Sequence, residues 1–495
     1  MKWTEDAERT LESVPPFVRM AVRKSVQAFA ARAGTDVITP DLLAQAKAEL
    51  MPNAHDKTKG IERFFAREGV DPLESAFDTD SGPHPGMRGE AVPVEDVMAA
   101  WDESASVVDK STRRALYIHV PFCRSRCSFC PFYTYKSCEG ELAEYAKALA
   151  REMESVSELP TVAGHPIHSV YFGGGTPTDL AAEDLFGLIS SVRTLFPLAN
   201  DCEITIEGRV SGFTEEKMRA CINGGANRFS IGVQSFHTQI RRGVGRKAGT
   251  DEVLSALEKL CSLDSAAVVI DLIYGLPGQT METWETDIET FINKTGAHGI
   301  DLYKLKMVPG SVMSEHGKTE HSPDTRLLAQ MYKRGSDILA EHGLKQLSNC
   351  HWGRGTRERN RYNTDTAFGG TCIPIGCCAG GKIGGYRFFQ ESDLKRYHES
   401  VRAGKKPIAS AMKQAEHLGA CEEIAGHVAL GAIDMRVFER YSGAAMHGFN
   451  RLIDQWESYG LLRFTSRNRI ELTTAGRFWS TKIAQNLIEC TNCDL

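Results

Sequence analysis

No stretch of this chain is apolar for long enough to span a bilayer. Its first residues, Met1-Lys2-Trp3-Thr4-Glu5-Asp6, lack the apolar centre of a secretory leader. A basic tract with interleaved aromatics is also missing, and a net charge of −6 gives no general attraction for phosphate backbones. There is no repeat of fixed period and no long low-complexity tract. These absences argue against a membrane span and a nucleic-acid partner, and place the chain in the cytoplasm. What remains is an ordinary soluble composition, 42% hydrophobic and 25% charged. The 495 residues suffice for roughly two to four domains.

Fourteen cysteines in such a chain are expected to be ligands, reactive groups or small core residues rather than disulfides. Cys202, Cys221 and Cys261 lie in patterned apolar segments and read as small buried hydrophobes. Cys123, Cys127 and Cys130 differ. They form a C-x3-C-x2-C run just after a β-like stretch ending at Val120. Iron–sulfur clusters are normally closed by four cysteines. The missing fourth ligand would leave one iron open to bind a small molecule and pass it an electron.

Residues 1–50 read as a small helical domain. Phe17, Met20, Ala21, Val22, Val26, Phe29 and Ala30 form an apolar face, Gly34 stops it, and Thr39-Pro40-Asp41 starts a new helix. Residues 51–110 are expected to be a linker region containing the turn-rich Thr79–Gly86. Over 111–345, six strand candidates alternate with helical stretches such as Glu139–Leu159 and Ala182–Leu195. The strands are Ala115–Val120, Ser169–Phe172, Glu203–Glu207, Arg228–Gly232, Val268–Ile273 and Ile300–Lys306. That alternation predicts an α/β fold, a partial (β/α)6 barrel with its chemistry at the strands' carboxyl ends. Residues 346–405 read as an irregular, glycine-rich substrate-site region. Residues 406–495 read as a helical, winged-helix-like domain with a hairpin at Leu461–Glu471.

Further motifs follow the strands. Gly173-Gly174-Gly175-Thr176 lets backbone approach a ligand closely. Glu207, Gln234, Arg246 and Asp271 recur near successive strands and fit a ligand with a carboxylate, an amine and a ribose. Together, Tyr117–Cys130, Gly173–Thr178, Glu203–Glu207, Asn227–Phe236, Gly245-Arg246 and Asp271–Gly278 resemble the radical S-adenosylmethionine enzymes of the oxygen-independent coproporphyrinogen III dehydrogenase superfamily. The resemblance covers about residues 113–310. It implies a 4Fe–4S cluster on Cys123, Cys127 and Cys130, with S-adenosylmethionine chelating the open iron. It implies that Gly174, Gly175 and Thr176 hold the methionine part, that Glu207, Gln234, Arg246 and Asp271 line the cofactor sites, and that Tyr117 lies beside the first cofactor.

The dehydrogenases carry another cysteine where Phe132 stands here. Phe122–Tyr133, Gly380–Tyr386 and Asp393–His398 are instead similar to the anaerobic haem-utilisation branch. Its members resemble class C radical methyltransferases and open haem to a linear tetrapyrrole, anaerobilin, with iron release. That resemblance implies two S-adenosylmethionine molecules, haem or a related tetrapyrrole as substrate, and a reductant such as flavodoxin or a flavin reductase. Coproporphyrinogen III dehydrogenation and non-catalytic haem carriage are the alternatives within the superfamily. The branch has smaller residues at Cys377 and Cys378, which read as core or loop filler. Trp3–Ala7, Leu11, Val14–Arg19 and Ile38-Thr39 resemble the small C-terminal domain of the light-independent protochlorophyllide reductase B subunit, which implies a cover for a flat macrocycle; a helical packing or assembly domain is the alternative. Cys490 and Cys493 read as a mobile dithiol, Cys138 lies outside the cluster motif, and His351 and His398 read as satisfied or surface histidines rather than haem ligands.

Overall fold

Residues 114–304 alternate β-branched and aromatic runs with amphipathic helices, and the runs become parallel strands. The computed structural model describes residues 1–12, 16–50, 60–79, 89–308, 311–315, 324–415, 418–437 and 446–491. Six strands stand side by side in chain order: β1 (Arg114–Val120), β2 (Ile167–Gly174), β3 (Leu198–Arg209), β4 (Arg228–Gln234), β5 (Ala267–Tyr274) and β6 (Gly299–Lys304). Each neighbouring pair is parallel. Every residue of β4 is buried, as expected where helices cover one face and side chains fill the other. The helix Glu139–Ser157 buries Leu142, Tyr145, Ala146, Leu149, Met153 and Val156 at helical spacing, with Glu139 and Glu141 in its first turn. Thr214 caps Glu215–Gly224 by accepting from the Lys217 N–H, and Gly225 ends it at φ +116°.

The sheet extends beyond the six expected strands. β7 (Thr371–Ile375) runs parallel to β1 on its free side, with Thr371 opposite Arg114 and Ile375 opposite Ile118. An antiparallel meander follows: β8 (Gly380–Ile383), β9 (Tyr386–Gln390) and β10 (Ile408–Gln414). Gly89–Ala91 closes one edge, and His351–Gly353 with Lys345–Gln346 closes the other, giving 13 strands in an open partial barrel. The glycine-rich stretch is therefore sheet, not irregular chain. A Cβ on Gly381 would lie 2.4 Å from the Cys372 carbonyl oxygen, so glycine is what allows β7 and β8 to meet. The boundary at residue 406 also shifts, because β10 belongs to the main sheet.

The linker expectation fails for the described parts of 51–110. Ile61, Phe64, Phe77 and Trp101 enter the main core. Trp101 packs edge-on against Phe388 at 5.1 Å, and the Trp456 and Trp479 indoles donate to the carbonyls of Phe64 and Leu73. Most of the turn-rich Thr79–Gly86 run lies outside the described residues.

The N-terminal unit has its own small core of Ala7, Val26, Phe29, Ala30, Ile38 and Ala46, fastened by parallel pairing of Lys2–Trp3 with Val37–Ile38. The side chains of residues 14–21 lie outside the described residues. At the other end, Ala432–Asp434, Arg469–Leu472 and Leu462–Ser466 form a three-stranded antiparallel sheet that meets helices Leu418–Ala429 and Met446–Ser458, and Ser480–Thr491 packs on those two helices. No helix among the described residues is long and apolar enough to cross a membrane.

Candidate active site

The chain leaves β1 at Val120 and turns into Phe122–Cys123, which pairs with Tyr135–Lys136. Cys127 and Cys130 sit on the loop between. Asp179 braces this loop, accepting from the Arg124 N–H at 2.9 Å and the Ser137 hydroxyl at 2.6 Å while facing the Arg124 guanidinium at 3.2 Å. From the other side, Val244 accepts from the Ser128 N–H at 3.2 Å. Cys123 and Cys127 are buried and Cys130 is half-buried. Arg209 donates to Cys123 Sγ at 3.2 Å and to the Ser125 carbonyl at 2.9 Å, and the Thr176 hydroxyl lies 3.2 Å from the same sulfur. Burial pushes the Cys123 and Cys130 thiols up, while Arg209 pulls both down and Arg246 acts with it on Cys130. The guanidiniums thus offset part of the burial penalty on Cys123 and Cys130, which a cluster would bind as thiolates. Arg209 was not singled out in the sequence, where it stands two residues past Glu207 in no motif. Among the described residues no three His, Cys, Asp or Glu side chains are drawn together as they would be around a single metal ion.

β2 delivers the glycine run against this loop. Gly174 adopts φ +107°, and a Cβ on it would lie 2.5 Å from the His119 ring. A Cβ on Gly175 would lie 2.4 Å from the Phe122 carbonyl oxygen. Gly175→Ala therefore pushes on the strand carrying Cys123. Overpacking of this kind costs about 1–3 kcal/mol, on the order of tenfold or more in affinity. We expect iron content after anaerobic reconstitution to fall while far-UV circular dichroism is unchanged.

Glu207 accepts from the Gly174 N–H at 3.2 Å and the Tyr171 hydroxyl at 2.6 Å, and burial pushes its carboxyl up. Gln234 ends β4 at φ +73°, a strained conformation for a residue with a side chain, and its buried Oε1 has no partner. Arg246 donates to the Gly232 carbonyl at 2.9 Å and also bonds Cys127, leaving its buried Nε without a partner. Asp271 accepts from the Ser230 hydroxyl at 3.2 Å; burial, then Asp301 and Glu207, push its carboxyl up to about 7. Beneath them, the ring of Tyr171 stacks on Tyr362 at 4.5 Å and on Tyr117 at 6.4 Å, and the Tyr117 hydroxyl meets His119 Nδ1 at 3.0 Å. The residues singled out in the sequence thus converge. Buried polar atoms without partners in a strained, arginine-bearing setting mark a place built for a polar ligand beside the three thiols.

His351 lies deeper, on the strand beside β6. Its Nδ1 is 3.0 Å from Asp301 and its Nε2 is 3.2 Å from Glu358, which in turn meets Arg228 at 3.1 Å, all of them buried. Fully buried between two carboxylates, it is not placed to reach haem iron. Burial opposes its charge, but Asp301 and Glu358 outweigh that and raise its pKa to about 9. Glu358 is held at about 2, where Arg228 and His351 overcome the penalty of burial. His351 therefore adds stability that is complete below its unfolded value, near 6.5, and is lost as pH rises through about 9. The Glu358 contribution is complete above about 4.5 and is lost only as pH falls towards 2. Urea midpoints are expected to drop between pH 6.5 and 9, and His351→Gln is expected to flatten that alkaline limb.

Several other side chains stand apart. His398 packs against the rings of Tyr145 and Tyr397 and lines a charged surface cavity of about 270 Å³ with Glu144, Lys147, Arg151 and Arg402. Cys138 is exposed ahead of the first barrel helix, and Cys490 is buried in the last helix. Cys493 lies outside the described residues. Phe132, directly after the cysteine loop, is 66% exposed.

Comparison with known proteins agrees with this geometry. Residues 117–291 match the model of the radical SAM superfamily, and residues 3–47 match that of the proto-chlorophyllide reductase 57 kD subunit. The coproporphyrinogen III oxidase HemN from Escherichia coli, a radical SAM enzyme, shares the fold at a TM-score of 0.68 and 20% identity, over 80% of this chain and 94% of its own. The anaerobilin synthase of Escherichia coli O157:H7 is 39% identical over 88% of this chain and 96% of that protein. The heme chaperone HemW of Bacillus subtilis is 25% identical over 75% of this chain and 98% of its own. The chain belongs to the radical SAM superfamily and, within it, to the family of anaerobilin synthase. Membership implies an enzyme with a 4Fe–4S cluster and S-adenosylmethionine.

Proposed function

We propose that this enzyme opens haem anaerobically to a linear, methylated tetrapyrrole and releases the iron, using two molecules of S-adenosylmethionine. The observation that carries this reading is the similarity to anaerobilin synthase along 96% of that protein's length. Phe132 supports it, because the coproporphyrinogen dehydrogenases have a cysteine at that position.

Cys123, Cys127 and Cys130 would hold the cluster, which when bound supplies an electron to the sulfonium of S-adenosylmethionine. Arg209 and Thr176 steady the Cys123 sulfur. Gly174, Gly175 and Thr176 let backbone groups reach the methionine end. Arg246 suits a carboxylate, Glu207 an amine, and Gln234 and Asp271 suit ribose hydroxyls. The tyrosine stack of Tyr117, Tyr171 and Tyr362 floors the site and keeps water out of it. The small N-terminal domain covers the macrocycle, and flavodoxin or a flavin reductase supplies electrons in the cytoplasm.

Anaerobic incubation with haem, a reductant and S-adenosylmethionine tests this. A linear tetrapyrrole heavier by one methyl group, with free ferrous iron, is the expected product by mass spectrometry. An unchanged haem spectrum while 5′-deoxyadenosine accumulates rules the substrate out. Tight haem binding without any 5′-deoxyadenosine points instead to haem carriage, as named for the HemW relatives.

A further inference from the structure

β7 ends at Ile375, and the chain turns through Gly376 (φ +100°) into Cys377 and Cys378. Cys378 adopts φ +69°, unusual for a residue with a side chain, and the two sulfurs lie 3.9 Å apart. Cys377 is fully buried, with its N–H donating to the Tyr145 hydroxyl at 2.9 Å. Cys378 is half-buried and faces the Ser392 carbonyl at 3.9 Å. That same carbonyl accepts from the Tyr135 hydroxyl at 2.6 Å. Tyr135 in turn pairs with Phe122 in the strand carrying Cys123, and its N–H donates to the Pro121 carbonyl at 3.1 Å. One residue thus separates the thiol pair from the brace of the cluster loop.

We propose that Cys377 and Cys378 form a reversible dithiol–disulfide couple that links thiol redox state to the cluster loop. The division of labour follows from exposure. Cys378 meets solvent and is the attacking thiol; the Cys377 S–H donates to it and draws it below the usual thiol range. Cys377 resolves. The co-reactant is a small disulfide. The Cys378 thiolate attacks one of its sulfurs and expels one thiolate. Deprotonated Cys377 then attacks the Cys378 sulfur of the mixed disulfide and expels the second. The protein loses two electrons and two protons, and the disulfide becomes two thiols.

Adjacent residues fix the character of the bond. Their Cα atoms stand about 3.8 Å apart across a trans peptide, short of the roughly 4.4–6.8 Å of a relaxed disulfide. Such a bond is strained and therefore easily reduced. It serves as a switch, not as a staple. Bringing the sulfurs from 3.9 Å to about 2.05 Å moves Cys378 relative to Ser392, and with it the hydrogen bond that holds Tyr135.

The test uses the anaerobically reconstituted holoprotein, treated with a slight excess of oxidised glutathione, denatured in alkylating agent and digested. In the wild type, neither Cys377 nor Cys378 is expected to be alkylated, the peptide is two hydrogens lighter, and dithiothreitol makes both sulfurs alkylatable. Formation of 5′-deoxyadenosine falls several-fold on oxidation and recovers on reduction. Cys377→Ser is expected to retain glutathione on Cys378. The Cys377→Ser/Cys378→Ser double variant is expected to keep its activity through the treatment. Alkylation of both sulfurs in oxidised wild type, or glutathione persisting on its Cys378, overturns the couple. An equal fall in the double variant traces the effect to other cysteines and overturns the link to the cluster loop. Neither readout needs a tetrapyrrole, so the result is independent of the substrate assignment.

Discussion

Cys127→Ala protein, reconstituted anaerobically with iron and sulfide, is expected to hold no four-iron cluster and to form no 5′-deoxyadenosine above background. Cys127 is 1% exposed and receives a hydrogen bond from Arg246. Its removal takes away one of only three candidate ligands and strands a buried guanidinium beside the gap. Phe132 stands where the coproporphyrinogen dehydrogenases have a further cysteine. The fold itself is expected to persist. The loop stays tied to Asp179 through Arg124 and to Val244 through Ser128. Cys138→Ala is the matched control, an exposed thiol a few residues on that should leave iron content and activity unchanged. A Cys127→Ala protein that still splits S-adenosylmethionine would sink the assignment.

The second large effect is on stability. Arg228→Leu is expected to lower the unfolding free energy by about 3–5 kcal/mol, the usual cost of removing one partner from a buried ion pair. Total stabilities are about 5–15 kcal/mol, so the variant is expected to accumulate largely as insoluble protein or to unfold at much lower urea. Arg228 lies 3.1 Å from both carboxylate oxygens of Glu358, and its pKa is raised because, although burial disfavours its charge, Glu358 and Glu203 favour it more. The loss leaves Glu358 with His351 alone in a site closed to water. Adding Glu358→Gln should recover part of the deficit, because the deficit comes from the orphaned charge. If Arg228→Leu unfolds at the wild-type midpoint, the network carries no such weight.

How much of this was legible beforehand depends on the range of the interaction. The strands Arg114–Val120 to Gly299–Lys304 declare themselves by β-branched and aromatic runs, because strands covered on both faces need apolar residues throughout. The cysteine spacing and the glycine run are local too, and each lies where a strand ends. β8 was missed because glycines around Gly376–Gly385 read as loop, while the need for them comes from Cys372 and Pro374 of β7 pressing on Gly381. Residues 60–78 looked like linker because Phe64 and Phe77 find their partners, Trp456 and Trp479, near the far end of the chain. Arg209 and the Arg228–Glu358–His351–Asp301 network escaped for the same reason. Each member is an unremarkable polar residue until separate segments bring it against another.

The seam between β1 and β7 has a consequence for how the molecule is made. Thr112 and Thr371 share a hydrogen bond at 3.1 Å across 259 residues of chain. At roughly 5–20 residues per second of synthesis, β1, the strand that leads into the cysteine loop, waits between about ten seconds and a minute for that neighbour. Until it arrives, the strand is an open edge next to the thiols, exposed to pairing with other nascent chains. A chain stalled before residue 371 is therefore expected to hold that edge unpaired and to aggregate more readily than the full-length protein.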